Sequence, residues 1–316
     1  VNNKVVVITG ASSGLGRATA LEFSRRGYRV VLAARSAQAL ASTLAACTAL
    51  GADAMSVPTD VCKREDVEAL SRAAVERFGR IDVWVNNAGI TLFSALEDGP
   101  FEQHQRVIET NLFGAMHGAR AVVPLFRKQK HGVLINVGSI LSQVGQAFVP
   151  AYVISKFAVR GLSEALRVEL ADEPNIHVCS IFPYAIDTPH FENGGNHLGK
   201  RIHALPPIQT PEAVALALVG LAEKPQRAVY VPQIAPLGLM LHALMPDVLE
   251  RTLLDALRKW HVQGEEVISD GNLYAPTPGS GSVHGNRLPI VSTFELVTWA
   301  LRRMGRLLVS SDRAHA

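Results

Sequence analysis

The sequence lacks most of what would mark a secreted, metal-binding or nucleic-acid-binding protein. It has three cysteines, Cys47, Cys62 and Cys179, far apart and never arranged as CxxC. They supply neither a disulfide framework nor a zinc site, and a reducing compartment fits best. Eleven histidines form no HExxH or other metal-ligand spacing, so no metal is expected. Excess charge is missing too. The 31 basic and 28 acidic residues leave a formal net charge of +3, which provides no electrostatic footprint for nucleic acid. No charged n-region and apolar h-region precede the opening VNNKVVVITG, so no signal peptide is expected. A clean run of about eighteen apolar residues, enough for a spanning helix, does not occur. The nearest stretch, 228–245, is interrupted by prolines, Gln233 and His242. A cytoplasmic location follows as the expectation. No internal repeat is found.

What is present is an alternation of short β-branched runs with helical stretches. Strands are predicted at 5–9, 29–34, 54–58, 81–86, 132–137, 177–182 and 228–231. Helices are predicted at 14–26, 37–50, 63–78, 101–129, 150–171 and 211–222. Strands that are apolar throughout, rather than alternating, belong to a parallel sheet covered on both faces. The expected fold is α/β: a doubly wound, Rossmann-type parallel sheet in three layers, with right-handed crossovers. The length of 316 residues accommodates this domain, 1–235, and a C-terminal helical extension, 236–316. One or two amphipathic helices are expected around Pro246, followed by an irregular Gly, Pro and Ser-rich segment at about 264–289.

Thr9-Gly10-Ala11-Ser12-Ser13-Gly14-Leu15-Gly16 follows the first strand and opens the first helix. Glycines there allow a tight turn and a close approach of backbone to pyrophosphate. The helix N-terminus adds free N–H groups and a favourable dipole. Gly10, Ser12, Ser13, Gly14, Leu15 and Gly16 are therefore the expected dinucleotide contacts. The second strand ends Leu32-Ala33-Ala34-Arg35-Ser36, with no carboxylate for a ribose 2′-hydroxyl. Arg35 can instead pair with a 2′-phosphate. A charge-assisted hydrogen bond of roughly 1.5–3 kcal/mol is tenfold or more in affinity, so NADP is expected, with NAD the weaker alternative.

Tyr152 and Lys156 stand four residues apart on a predicted helix, hence one turn apart on one face, with Ser139 upstream. An ammonium beside a phenol favours phenolate. Bringing a tyrosine from about 10 towards 7 takes roughly 4 kcal/mol at ~1.36 kcal/mol per unit. Such a phenol exchanges a proton with an alcohol or ketone near neutral pH, and Ser139 can hold the oxygen.

Together these residues resemble the short-chain dehydrogenase/reductase family. The resemblance runs from Lys4 to about Val231 and rests on TGASSGLG at 9–16, Asp60-Val61, Asn86-Asn87-Ala88-Gly89, Asn111, Ser139 and Tyr152 to Lys156, in typical order and spacing. It implies that Asp60 and Val61 lie at the adenine ring, and that Asn87, Ala88 and Gly89 border the cofactor. It implies that Asn111 kinks its long helix and holds a proton-relaying water near Lys156. Ser139 would orient a carbonyl, Tyr152 act as general acid/base and Lys156 also bind the nicotinamide ribose. Pro183, Ile186 and Thr188 would complete the cofactor contacts. The two helices 101–129 and 152–171 form the family's usual dimer interface, so a homo-oligomer is expected. One departure stands out: Tyr184 replaces the family's usual glycine after Pro183. It either shapes the cleft or packs into the core.

The stretch 190–207 is expected to lid the active site, with Gly194, Gly195 and Gly199 giving mobility. His190, His197 and His203 read as solvent-exposed loop residues. Phe93, Phe148, Tyr184 and Phe191 can supply an apolar substrate pocket. The leucine-rich stripe at 237–257 has three readings: a cover for the cleft, an oligomer interface, or a peripheral contact with a membrane surface. The function expected is an NADP(H)-dependent oxidoreductase interconverting a ketone or aldehyde and an alcohol on a hydrophobic small molecule. Two alternatives remain: an NADP-binding sensor or scaffold without turnover, and redox-neutral chemistry such as epimerisation or dehydration.

Overall fold

Residues 5–9 are buried without exception, because both faces of their strand are covered. Val6 and Ile8 join one core, and Val5 and Val7 join the other. A computed structural model describes residues 3–279 and 281–314, with side chains as far as Leu308. In chain order its first half runs β1 (Val5–Thr9), α1 (Gly14–Arg25), β2 (Arg29–Ala34), α2 (Ala37–Ala49), β3 (Ala54–Pro58), α3 (Arg64–Phe78), β4 (Val83–Asn86), β5 (Leu92–Phe93), α4 (Phe101–Ile108) and α5 (Gly114–Gln129). Then follow β6 (Gly132–Val137), α6 (Pro150–Glu169), β7 (Ile176–Pro183), α7 (His190–Asn193), β8 (Gly195–Asn196), β9 (Arg201–Ile202), α8 (Pro211–Glu223) and β10 (Ala228–Val231). The extension supplies α9 (Ala235–Leu244), α10 (Pro246–Ala256), β11 (Val262–Gln263) and α11 (Thr293–Ala314).

Seven strands make one parallel sheet in the order β10-β7-β6-β4-β1-β2-β3. Apolar residues of α1, α2 and α8, such as Phe23, Leu40 and Leu218, cover one face. Those of α3, α5 and α6, such as Leu70, Phe126 and Leu166, cover the other. The result is the expected three-layer, doubly wound arrangement. The strand order reverses between β1 and β4, and in such sheets the crevice at the carboxyl ends beside that point takes ligands. A polar seam fixes β4 against β6 and α6. Asn86 accepts from Trp84 Nε1 at 2.7 Å and donates to Asn136 Oδ1 at 2.9 Å, and Asn136 donates to Ser163 Oγ at 2.9 Å.

The helix read as continuous from 101 to 129 is broken. A π-helical turn, Glu109–Phe113, separates α4 from α5 and contains Asn111. Around Pro246 there are two helices, and α10 ends in a second π-turn, Leu257–His261. The extension folds back onto the segment 193–203. β11 pairs antiparallel with β9, while β5 pairs with β8. Main-chain bonds add to this: Asn196 and Ser269 exchange N–H···O bonds of 2.8 and 3.0 Å, and Asn272 N–H donates to Asn193 O at 2.7 Å. Among the described residues no helix is long and apolar enough to cross a membrane.

Candidate active site

Thr9 ends β1 with its hydroxyl turned towards the neighbouring loop. Thr9 Oγ1 accepts from the N–H groups of Asn87 at 3.0 Å and Ala88 at 3.1 Å. Asn87 Nδ2 returns a bond to Thr9 O at 2.9 Å. The loops after β1 and β4 are thus sewn together, and the contact leaves no room for side chains. Gly10 has φ +68°, and a Cβ on it would lie 2.8 Å from Ala88 Cα. A Cβ on Gly16 would strike Gly10 O. Ser13 precedes α1 in extended conformation and makes no side-chain cap, and the first turn of α1 carries no acid. That helix end keeps its positive character, which suits a phosphate.

Above these loops lies a cavity of about 310 Å³. The turn 10–16 forms one side, Arg35, Asp60 and Val61 the far end, and Asn87 to Gly89 the floor. Pro183, Ile186 and Thr188 close it from β7, and Ser139, Tyr152 and Lys156 stand at its inner end. The residues present therefore fit a dinucleotide: a glycine cradle without room for Cβ atoms, a helix N-terminus without a side-chain cap and an arginine at the end of β2. Asn111 stands behind the lining. Its Oδ1 accepts from Ile90 N–H at 2.8 Å, and its Nδ2 donates to Ile90 O at 3.0 Å and Ser155 Oγ at 2.9 Å. The π-turn is what lets this amide reach the floor loop and α6 at once.

Ser139 begins a tight turn, Ile140–Ser142, and its Oγ accepts from Leu141 N–H at 3.1 Å. Lys156 is buried, and its Nζ donates to Val137 O at 2.9 Å while lying 5.4 Å from the centroid of the Tyr152 ring. Burial pulls the ammonium down to about 8. The expectation that the lysine brings the phenol towards 7 is corrected in the protein alone. Burial pushes Tyr152 up to about 12, and the Ser139 hydroxyl offsets only part of that. Desolvation of the phenolate form is the dominant cause. The phenol is therefore a protonated donor.

Two histidines missed in the sequence reading line the same cavity. His190 was expected in solvent, as were His197 and His203, yet none of the three is exposed. The His190 ring lies 5.6 Å from that of Tyr152, and burial, with a smaller effect of Lys156, pulls it down to about 4. His261, from the extension, is 3% exposed and sits 6.2 and 6.4 Å from the rings of Phe93 and Phe191. Its Nδ1 donates to His203 O, and Nε2 has no partner among the described residues. No local pattern marks either histidine; only the fold brings them in.

Phe93, Phe191 and Tyr184 line the cavity. Phe148 does not. Its backbone is left-handed, with φ +71°, and its ring packs with Leu205, Ala256 and Leu257 beneath the extension. Arg35 is not free either. Its Nη2 donates to Asn272 O at 2.6 Å and its Nη1 to Leu273 O at 3.2 Å, both in the extension. A guanidinium has five N–H groups, so three remain. Asp60 is held by Arg106 at 3.2 Å and by Cys62 N–H at 3.1 Å.

A doubly wound parallel sheet with a glycine cradle at its switch point, and a phenol, an ammonium and a hydroxyl converging beside it, defines a dinucleotide-linked oxidoreductase. The chain belongs to the short-chain dehydrogenase family, whose model matches residues 4–198. It is 39% identical over 256 residues to the uncharacterized oxidoreductase YxnA of Bacillus subtilis (strain 168), covering 80% of this chain and 72% of that one. An alcohol dehydrogenase from the archaeon Thermococcus sibiricus, solved with 5-hydroxy-NADP, superposes with a TM-score of 0.64 at 29% identity, over 72% of this chain and 95% of its own. A short-chain dehydrogenase/reductase from Burkholderia phymatum, solved with NAD, gives 0.69 at 25% identity, over 78% and 95%.

Proposed function

We propose that the protein is an NADP(H)-dependent oxidoreductase that interconverts a ketone or aldehyde and an alcohol on an apolar small molecule. The observation that carries this reading is the half-buried, protonated Tyr152 between Ser139 and Lys156, at the inner end of a cleft whose other end is the glycine cradle. A bound nicotinamide would supply or take the hydride. The chain's own groups handle the oxygen and the proton. Ser139 Oγ holds the substrate oxygen, and Tyr152 donates its proton there as the carbonyl is reduced. Lys156, charged below about pH 8, stabilises the phenolate left behind. Asn111 Oδ1 and Lys156 Nζ flank Gly89, 3.3 and 3.7 Å from where its Cβ would sit, which supports a proton-return route between them.

The absence of an acid at the end of β2, with Arg35 in its place, supports NADP. The two neighbours solved with NADP-type and NAD cofactors leave room for either. Phe93, Phe191, Tyr184, Leu205 and Leu257 line the cleft together with two imidazoles that burial keeps neutral. This lining favours an uncharged, largely apolar substrate. Exposed Phe113 and Met116 on one helical segment and Ile154 and Phe157 on the next support pairing of two copies through these faces. Exposed Leu237, Met240 and Leu244 of α9 support a peripheral membrane contact, which sedimentation with liposomes reads out. The main test is NADPH oxidation against a panel of ketones and aldehydes, repeated as NADP reduction with alcohols. Turnover of apolar carbonyls is expected; a panel in which only charged sugars or acyl thioesters react overturns the substrate reading.

A further inference from the structure

Between Gly271 and Gly285 the chain returns from the extension and crosses the mouth of the cofactor cleft. Both ends of this crossing are fastened to residues of the cleft itself. At one end the carbonyls of Asn272 and Leu273 accept from Arg35, and Leu273 O also accepts from Arg106 Nε at 3.1 Å. The Leu273 side chain is fully buried with Ile90, Leu92, Val107 and Ala151. At the other end Ser282 O accepts from Gly14 N–H at 2.8 Å, at the first residue of α1, and Gly281 O accepts from Arg17. Asp187 then accepts from Gly285 N–H at 3.2 Å and meets His284 Nδ1 at 3.0 Å.

Between these fastenings, Asn272, Pro276 and Thr277 form part of the cavity wall. Asn272 Oδ1 and Thr277 Oγ1 are buried and lack a hydrogen-bond partner among the described residues. Such groups are rare because leaving one unpaired is costly, and two in one short segment ask for a ligand. The opposite wall is the glycine turn, so the ligand that fits between is the one the turn accommodates.

We propose that residues 272–279, with 281 and 282, form the outer wall of the dinucleotide site, a clasp under which NADPH binds, with Asn272 and Thr277 as cofactor-binding residues; this rests on the reading of the preceding subsection. A side-chain rotation brings each orphan oxygen to a polar group of the nucleotide. The cofactor then leaves only when the fastenings at Gly14 and Asp187 let go, so the clasp governs exchange.

The test uses the full chain preloaded with NADPH. Release is followed by loss of nicotinamide fluorescence after mixing with excess NADP. Asn272→Ala and Thr277→Val should each raise the NADPH Kd about two- to tenfold. His284→Ala, which touches only the Asp187 and Glu212 fastening, should speed release about two- to fivefold. A second readout needs no variant: Tyr274 is exposed in the clasp, and NADPH should slow chymotryptic cleavage after it. Unchanged affinity and release in all three variants overturns the proposal. So does faster cleavage with NADPH, which would mean that the nucleotide displaces the segment. A full chain that binds no dinucleotide overturns both this proposal and the function it rests on. Normal binding with indifferent variants overturns the clasp alone.

Discussion

Lys156 places its ammonium 5.4 Å from the centre of the Tyr152 ring and donates to Val137 O at 2.9 Å. Both groups pay for burial in the same direction, towards neutrality: the phenol stands near 12 and the ammonium near 8. Tyr152→Phe removes the donor and keeps the ring. Turnover should fall by about 10²–10⁴-fold, the usual worth of general acid catalysis. NADPH binding by fluorescence titration should stay within about threefold. Residual turnover near that of the unchanged chain would remove Tyr152 from the chemistry.

The lysine sets a pH limb. Its charge is present below about pH 8 and lost above, so reduction of a ketone should decline as pH rises through 8. The profile of kcat checks this, and Lys156→Met should lack that limb as well as most activity. Oxidation of an alcohol needs phenolate and should instead climb with pH. Parallel profiles in the two directions contradict the assignment.

Arg35→Ala tests the nucleotide choice. Losing a charge-assisted bond of roughly 1.5–3 kcal/mol should cut the NADP/NAD preference about tenfold or more. The ratio of kcat/KM for the two cofactors is the measurement, and an unchanged ratio ends the case for a 2′-phosphate contact at this residue.

Acid should destabilise the fold through His261. Burial, the main cause, holds it at about 4, well below the usual 6.5. Between those values the unfolded chain takes up a proton that the folded chain refuses. Stability is therefore lost as pH falls from 6.5 to 4, by roughly 3 kcal/mol at ~1.36 kcal/mol per unit. Urea midpoints at pH 7, 5.5 and 4.5 should drop steeply in the wild type and less in His261→Gln. Equal slopes would assign the acid sensitivity elsewhere.

Phe157→Arg, on the exposed face of α6, should convert a dimer to monomers in sedimentation velocity without lowering the melting temperature of the monomer fold. A wild type that sediments as a monomer removes the oligomer proposal.

The sheet and its helices were legible because their signals are local. β1 opens with four apolar residues in a row, and α8 begins at Thr210-Pro211, where the Thr210 hydroxyl caps Ala213 N–H at 3.2 Å. The cleft residues were legible where glycine geometry or helical spacing demanded them, as at Gly10 and in the Tyr152–Lys156 turn. What escaped depends on distance along the chain. Arg35 meets a carbonyl 238 positions away, and His261 reaches Phe93 only because the extension doubles back. Two-residue ladders such as β9 with β11 carry no period to read. Phe148 looked like a pocket aromatic, but its left-handed backbone turns it beneath α10.

The ladder between Arg201–Ile202 and Val262–Gln263, with the Asn196–Ser269 bonds beside it, ties the segment proposed to cover the substrate to the chain that leads into the proposed clasp. Lifting the one that admits the carbonyl compound drags on the one that overlies the nucleotide. A bulky guest that props its own door ajar should therefore hasten departure of its redox partner, so filling one chamber would favour emptying of the other.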